Sequence, residues 1–210
     1  MARDNRKHVG AQLEPGGRAA APGRLALVQS FINTWNREFP TDQDRLGTLR
    51  AAAAWLHENK LVRNIGEANK LRPSDVERLR ELREAIRNLA TANVTGSCDP
   101  SALDVIRAAA ATAPVIIAID DHGRTHLEAH QPGFGGTAAT LIAILHDAQL
   151  AGDWARLKGC RQCGYAFFDL SKNRSAAWCS MSICGNRTKN RTYYQRQRTE
   201  RQLPHAHADD

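Results

Sequence analysis

Two short stretches, Cys160-Arg161-Gln162-Cys163-Gly164 and Cys179-Ser180-Met181-Ser182-Ile183-Cys184-Gly185, decide how the C-terminal part of this chain folds. Together they form a C-x2-C, x15, C-x4-C array. Four thiolates at that spacing suit a zinc ion, which takes a closed tetrahedral set of sulfurs at ~2.3 Å when its role is structural. The glycine after Cys163 permits the positive φ that a tight turn aiming two sulfurs at one point tends to need. The second pair sits where a helix is expected to begin, so N–H groups and the helix dipole favour thiolate there. The competing readings are unrelated thiols, disulfides or a redox C-x-x-C. A redox motif would open a helix after a buried strand in a βαβ unit, and no such unit is legible. Disulfides are disfavoured in the cytoplasm. Cys98, alone in a loop, reads as a plain thiol.

Working outward, charge follows the cysteines. The 210 residues carry a formal charge of +7. Residues 1–155 hold 18 basic and 18 acidic side chains, whereas residues 156–201 hold 11 basic ones against Asp169 and Glu200, a net of +9. Such a segment is the footprint of a chain that meets a polyanion. Beyond Cys184, a helical reading puts Arg187, Arg191, Tyr194 and Arg198 on one face, with Asn190, Tyr193 and Gln197 beside it. Arginine suits bidentate contact with guanine or phosphate, and Asn or Gln with adenine. Tyr165, Phe167, Phe168 and Trp178 are read as a small apolar body around the metal.

The remainder reads as a helical domain. Residues 1–20 lack hydrophobic period and are expected to be a disordered tail. Leu25, Val28, Ile32, Trp35 and Phe39 predict one helix ended by Pro40, and Thr41 or Asp42 would cap a second carrying Leu46, Leu49, Ala53 and Leu56. Ser74 and Glu77 resemble a capping box before a helix with Val76, Leu79, Leu82, Ile86 and Leu89 buried. Glu77, Arg80, Glu81, Arg83, Glu84 and Arg87 are read as its solvated face. Asp99-Pro100 opens a helix to about Ala111. Residues 115–119 and 124–129 predict a hairpin, 132–136 a loop and 137–151 a last helix with Leu141, Leu145 and Ala148 aligned. His122, His126 and His130 repeat every four residues, but a strand would set them ~13 Å apart, so they are read as surface histidines. Trp35, Trp55 or Phe134 could line a small-molecule pocket, with core packing the expected role of the two tryptophans. No run approaches the ~20 residues of a membrane span, and no signal peptide is read. No GxSxG, P-loop or GxGxxG motif is found, and no enzyme is expected.

Cys160-x2-Cys163, Phe168-Asp169-x-Ser171-x-Asn173, Trp178-Cys179-Ser180-Met181 and Cys184-Gly185-Asn186-Arg187-x-Lys189 resemble the CGNR zinc finger. Upstream, Phe31-Ile32-Asn33-Thr34, Trp55-Leu56 and Leu82-Arg83-Glu84-Ala85 are similar to the ABATE domain that precedes it. The resemblance implies a bacterial, stress-linked transcription regulator, with Cys160, Cys163, Cys179 and Cys184 as ligands of one structural zinc and Arg187 and Lys189 as nucleic-acid contacts. Arg174, Arg191 and Arg198 join them as candidates. Ala176-Ala177 stand where the family pattern carries arginines.

The resulting expectation is a mainly α (α+β) protein: a helical N-terminal domain with one β-hairpin, then a small treble-clef or ribbon-like finger ending in a basic helix. The expected divisions are a tail over 1–20, an ABATE-like sensor or dimerisation domain over 22–155, the finger with its helix over 156–201 and a flexible tail over 202–210. The expected partner is double-stranded DNA, with a small-molecule effector at the N-terminal domain and a homodimer as further expectations, and the location cytoplasmic at the nucleoid. The alternatives are a zinc-stapled module binding RNA or an acidic protein, and a small-molecule sensor with non-specific DNA affinity.

Overall fold

The structure, a computed structural model, describes residues 13–14, 18–38, 40–62, 64–68 and 70–202. The expected C-terminal tail lies outside these residues from 203 on, as does Phe39. The architecture is mainly helical with small two-stranded sheets. Its axis is α4 (Pro73–Thr95), against which α1 (Leu25–Ile32), α2 (Leu49–Glu58), α5 (Pro100–Ala111) and α6 (Gly133–Leu150) pack. A four-residue helix, α3 (Ile65–Ala68), follows α2. Val76, Leu79, Leu82 and Ile86 of α4 are buried with Phe31, Trp55 and Leu141, as the helical spacing predicts. Phe31 and Trp55 meet with ring centroids 5.5 Å apart.

The hairpin forms as expected, from β3 (Val115–Ile119) and β4 (Thr125–Ala129), antiparallel with Ile117 opposite Leu127. Asp99 caps α5 by accepting from the Ser101 N–H.

Several boundaries differ from expectation, each for a local reason. Helix α1 stops at Ile32, so Trp35 is not on it. The Ile32 and Trp35 carbonyls accept from the Arg87 guanidinium at 2.8 and 2.6 Å, and the Asn33 amide binds the backbone of Ala166. The second helix is capped by Thr48, whose hydroxyl accepts from the Ala51 N–H. Residues 41–43 form only a 3-10 turn, which leaves Leu46 buried in a loop and Leu49 exposed. Helix α4 begins at Pro73, and it is the Asp75 carboxylate that reaches back to the Arg72 N–H, at 2.9 Å, instead of the Ser74/Glu77 box. The stretch 133–136, expected as loop, is the first turn of α6.

Two corrections bear on function. Residues 1–20 are not wholly a disordered tail: β1 (Leu13–Glu14) pairs with β2 (Arg18–Ala19). The charged face of α4 is not wholly solvated. Arg83 and Arg87 are 3% and 2% exposed. Arg83 makes two hydrogen bonds to Asp44, at 2.6 and 2.9 Å, a buried bidentate pair.

Among the described residues, no helix is long and apolar enough to cross a membrane.

Candidate metal centre

The centre is built on a short hairpin, β5 (Leu157–Gly159) and β6 (Ala166–Phe168). Cys160 and Cys163 sit in the turn between these strands, and the Gly164 N–H donates to the Cys160 carbonyl at 2.8 Å. Gly164 has φ +73, and a Cβ there would meet the Arg87 Cδ at 3.2 Å. The left-handed backbone favours glycine, and the close Arg87 methylene leaves little room for a side chain. The second pair comes from Cys179 and from a single π-helical turn, Met181–Gly185, which carries Cys184. The Ser180 hydroxyl caps that turn by accepting from the Ile183 N–H, and α7 (Asn186–Gln202) continues it.

All four sulfurs are buried and lie within 4.8 Å of one another. Cys163–Cys179, Cys179–Cys184 and Cys184–Cys163 are 3.7, 3.6 and 3.8 Å apart. A tetrahedron of sulfurs around zinc at ~2.3 Å has edges of about 3.8 Å, whereas disulfide sulfurs are ~2.05 Å apart. The spacing fits a metal, and none of these cysteines is in a disulfide.

Proton affinities agree. Hydrogen bonds from the Cys163 and Cys179 thiols hold Cys160 far below the ordinary thiol range, against the effect of burial. Cys163 and Cys179 are pushed up, each first by its hydrogen bond with Cys160. Cys184 is raised first by burial. Thiolates this close repel one another, and a divalent ion at their centre favours the ionised form of all four. Bound there, zinc has a full complement of protein sulfurs, so its contribution is structural.

A second buried cluster shapes the loop that joins the pairs. The Lys158 ammonium donates to the Asp169 carboxylate at 2.8 Å, to the Ala176 carbonyl at 3.1 Å and to the Arg174 carbonyl. Asp169 also accepts from the Ser171 and Ala176 N–H groups, at 2.9 and 3.0 Å. Burial alone would raise the Asp169 pKa, but Lys158 and these N–H groups bring it down to about 2. The side chain of Ala176 packs on the metal cluster while its backbone serves this network.

The finger is fused to the helical body. Leu157, Ala166 and Phe168 belong to the same core as Phe31, Leu82 and Leu141. Gly159 lies against α4 so closely that a Cβ would strike the Thr91 Oγ1 at 2.2 Å. Arg87 donates to the Gly164 carbonyl at 2.6 Å, which ties α4 to the knuckle beside Cys163. Arg18, on β2, donates to the Cys179 and Trp178 carbonyls and covers the Phe167 ring. Sequence reasoning missed Arg87 and Arg18, whose partners are distant in the chain. The sequence points to a structural role for Asp169 and Ser171 only through the family resemblance, although D-x-S is itself a turn signal.

Of the candidate nucleic-acid contacts, Lys189, Arg191 and Arg198 lie exposed on α7. Arg174 is exposed in the 169–176 loop with φ +50. Arg187 is exposed but ion-paired to Glu38 of the body. Tyr193 and Tyr194, exposed by 58% and 65%, present their rings to solvent on the same helix.

The histidines fall on the hairpin: His122 in its turn, His126 on β4 and His130 just beyond. A groove of about 820 Å³ lies between hairpin and helices, but Arg24, Lys60, His126, Glu128, His130 and Thr140 line it. Neither tryptophan nor Phe134 lines this groove, and Phe134 borders a separate one of about 370 Å³ with Arg78 and Gln131. Trp55 is fully buried, and Phe134 is packed in the core under the Arg78 guanidinium, 3.8 Å from its ring.

Fold and site together define a helical body carrying a four-cysteine, structural-zinc finger. Residues 23–158 match the ABATE family model, described as "Putative stress-induced transcription regulator", and residues 156–197 match the CGNR zinc finger. The first match covers more than half of the chain, which thus belongs to the ABATE family, with a regulatory, metal-binding role. No curated protein matches it.

Proposed function

We propose that this chain is a DNA-binding transcriptional regulator that docks α7 on duplex DNA. The observation that carries this reading is an exposed cationic helix rooted directly on the zinc cluster: Arg191 and Arg198 project from one face, Lys189 from the opposite one, and no buried apolar stripe competes with them among the described residues. Zinc fixes the first turn, and the fused core fixes the finger, so the cations are held on a rigid support. Arg174 adds a cation from the neighbouring loop. Arg187 joins when phosphate replaces Glu38, an exchange that costs little because an exposed ion pair contributes only ~0–1 kcal/mol. The helical body serves as sensor or dimerisation unit, in the cytoplasm, and the reading assigns the chain no catalytic step.

The test is duplex binding between low and moderate salt. Non-specific contacts alone give a Kd of roughly 10⁻⁴–10⁻⁶ M, and each phosphate contact adds about 0.9 to the slope of log affinity against log salt. The Arg187→Ala/Arg191→Ala variant is expected to bind more weakly, with a slope smaller by about two contacts. Equal affinity and equal slope in the variant overturn the assignment. Equal binding of the wild type to duplex, RNA and heparin would favour an interaction module without an operator.

A further inference from the structure

Strand β3 reads Val115-Ile116-Ile117-Ala118-Ile119, with no charge, proline or glycine. It pairs with β4 on one side, and no other strand pairs with it among the described residues. Ile117 and Ile119 are exposed by 73% and 69%, and Val115 and Ile116 by 40% and 45%. An edge that is straight, apolar and unprotected templates association, and monomeric proteins normally blunt such edges with lysine, proline or a bulge. Here none of those devices is present. Helix α6 supports mainly β4 and leaves β3 overhanging.

The free edge has a definite hydrogen-bonding pattern. The Asp120 N–H donates to the Arg124 carbonyl, and the His130 N–H reaches the Pro114 carbonyl. In an antiparallel ladder the bonded residues alternate, so 114, 116, 118 and 120 face β4. The N–H and C=O groups of Val115, Ile117 and Ile119 therefore face outward. A second copy of the same strand, run antiparallel about a two-fold axis at Ile117, places Ile117 opposite Ile117 and Val115 opposite Ile119. All three residues then exchange both of their bonds. The β-branched side chains at 115, 117 and 119 face their own kind across the axis, a favourable cross-strand pairing. Pro114, which has no N–H, falls opposite Asp120 and ends the match.

We infer that two copies of this chain join β3 to β3 to form a continuous four-stranded antiparallel sheet. The two-fold at Ile117 opposes β-branched residues at all three outward positions and sets no like charges against each other, which fits a second copy of this strand in an isologous interface. The sheet is the nucleus of the contact, and the overhanging isoleucines supply its apolar part.

Sedimentation equilibrium of the zinc-loaded full chain, without DNA, tests this independently of the nucleic-acid reading. A dimer is expected at concentrations up to the order of 100 µM, and Ile117→Lys is expected to weaken it at least tenfold, about 1.4 kcal/mol. Zinc content and far-UV circular dichroism of that variant should match the wild type. An Ile117→Cys variant in a Cys98→Ser background checks the register. Directly opposed hydrogen-bonded residues have Cα atoms ~5.5 Å apart, within disulfide reach. With oxidised glutathione it should give a covalent dimer, while Arg107→Cys on exposed α5 should not. A wild type monomeric throughout, or a dimer insensitive to Ile117→Lys with no Ile117→Cys cross-link, overturns the proposal.

Discussion

At the residue scale, two buried charges carry the finger's internal order. Asp169 is fully enclosed, yet Lys158 and the Ser171 and Ala176 N–H groups give its carboxylate a complete set of donors. Its pKa of about 2 lies below the ~3.9 of an unfolded aspartate. Because the folded value is depressed, the stabilisation is fully present above about pH 4 and is lost as pH falls from there toward 2. The shift corresponds to roughly 2–3 kcal/mol. Asp169→Asn is expected to lose this and to leave the Lys158 ammonium without its counter-charge. Urea unfolding at saturating zinc should show a gap between wild type and variant that is level above about pH 5 and narrows below 4. A gap independent of pH would remove Asp169 as its source. Arg83 and Arg87 show why such residues escape a reading by pattern. The i,i+3 and i,i+4 alternation of Glu and Arg on α4 is what a solvated face would carry, and Glu84 does remain part-exposed. What buries Arg87 is the finger and the end of α1, whose carbonyls it satisfies from 52 to 77 residues away.

At the scale of elements, the cysteine spacing made the metal centre legible because its four ligands fall in two local turns. Hairpin 115–129 and helix α5 were legible for the same reason, since turn residues and caps lie next to what they terminate. Helix α1 was not, because Trp35 continues the helical period while tertiary bonds to Ile32 and Trp35 break the backbone there. The finger's parts depend on zinc unequally. β5 and β6 are held by the body's core, through Leu157, Ala166 and Phe168, and by Asn33. Cys179, the π-helical turn and α7 have the sulfur cluster as their main anchor, with Arg18 and Glu38 as the contacts reaching them from the body. Chelation of zinc should therefore release α7 first. Hydrogen exchange is expected to rise steeply over 179–202 and little over 157–159 and 166–168. Uniform loss of protection across both regions would show that the metal holds the hairpin as well.

At the scale of the whole molecule, charge and packing divide the chain differently. The +9 segment begins at residue 156, and the two family matches meet at 156–158. The core does not respect that boundary. Leu157 and Ala166 are fully buried and Phe168 is 4% exposed, in a cluster otherwise made by the helical body and its loops. Burying one large apolar side chain contributes ~1.5–3 kcal/mol, so Leu157 and Phe168 together supply several kcal/mol out of a stability of ~5–15 kcal/mol for a domain of ordinary size. Arg87 adds a polar seam, since deleting the knuckle strands its guanidinium without the Gly164 carbonyl. A body cut at residue 155 would expose this apolar face and leave that donor unpaired. The full zinc-loaded chain is accordingly expected to unfold in a single calorimetric transition, with the calorimetric and van't Hoff enthalpies equal. The piece 18–155 should melt well below it or fail to fold. Two separate transitions, or a truncated body as stable as the whole, would mean that the shared core contributes little. One transition would make the finger a rigid extension of α4, and any event that shifts α4 would then reach the zinc knuckle through Arg87 without crossing a linker.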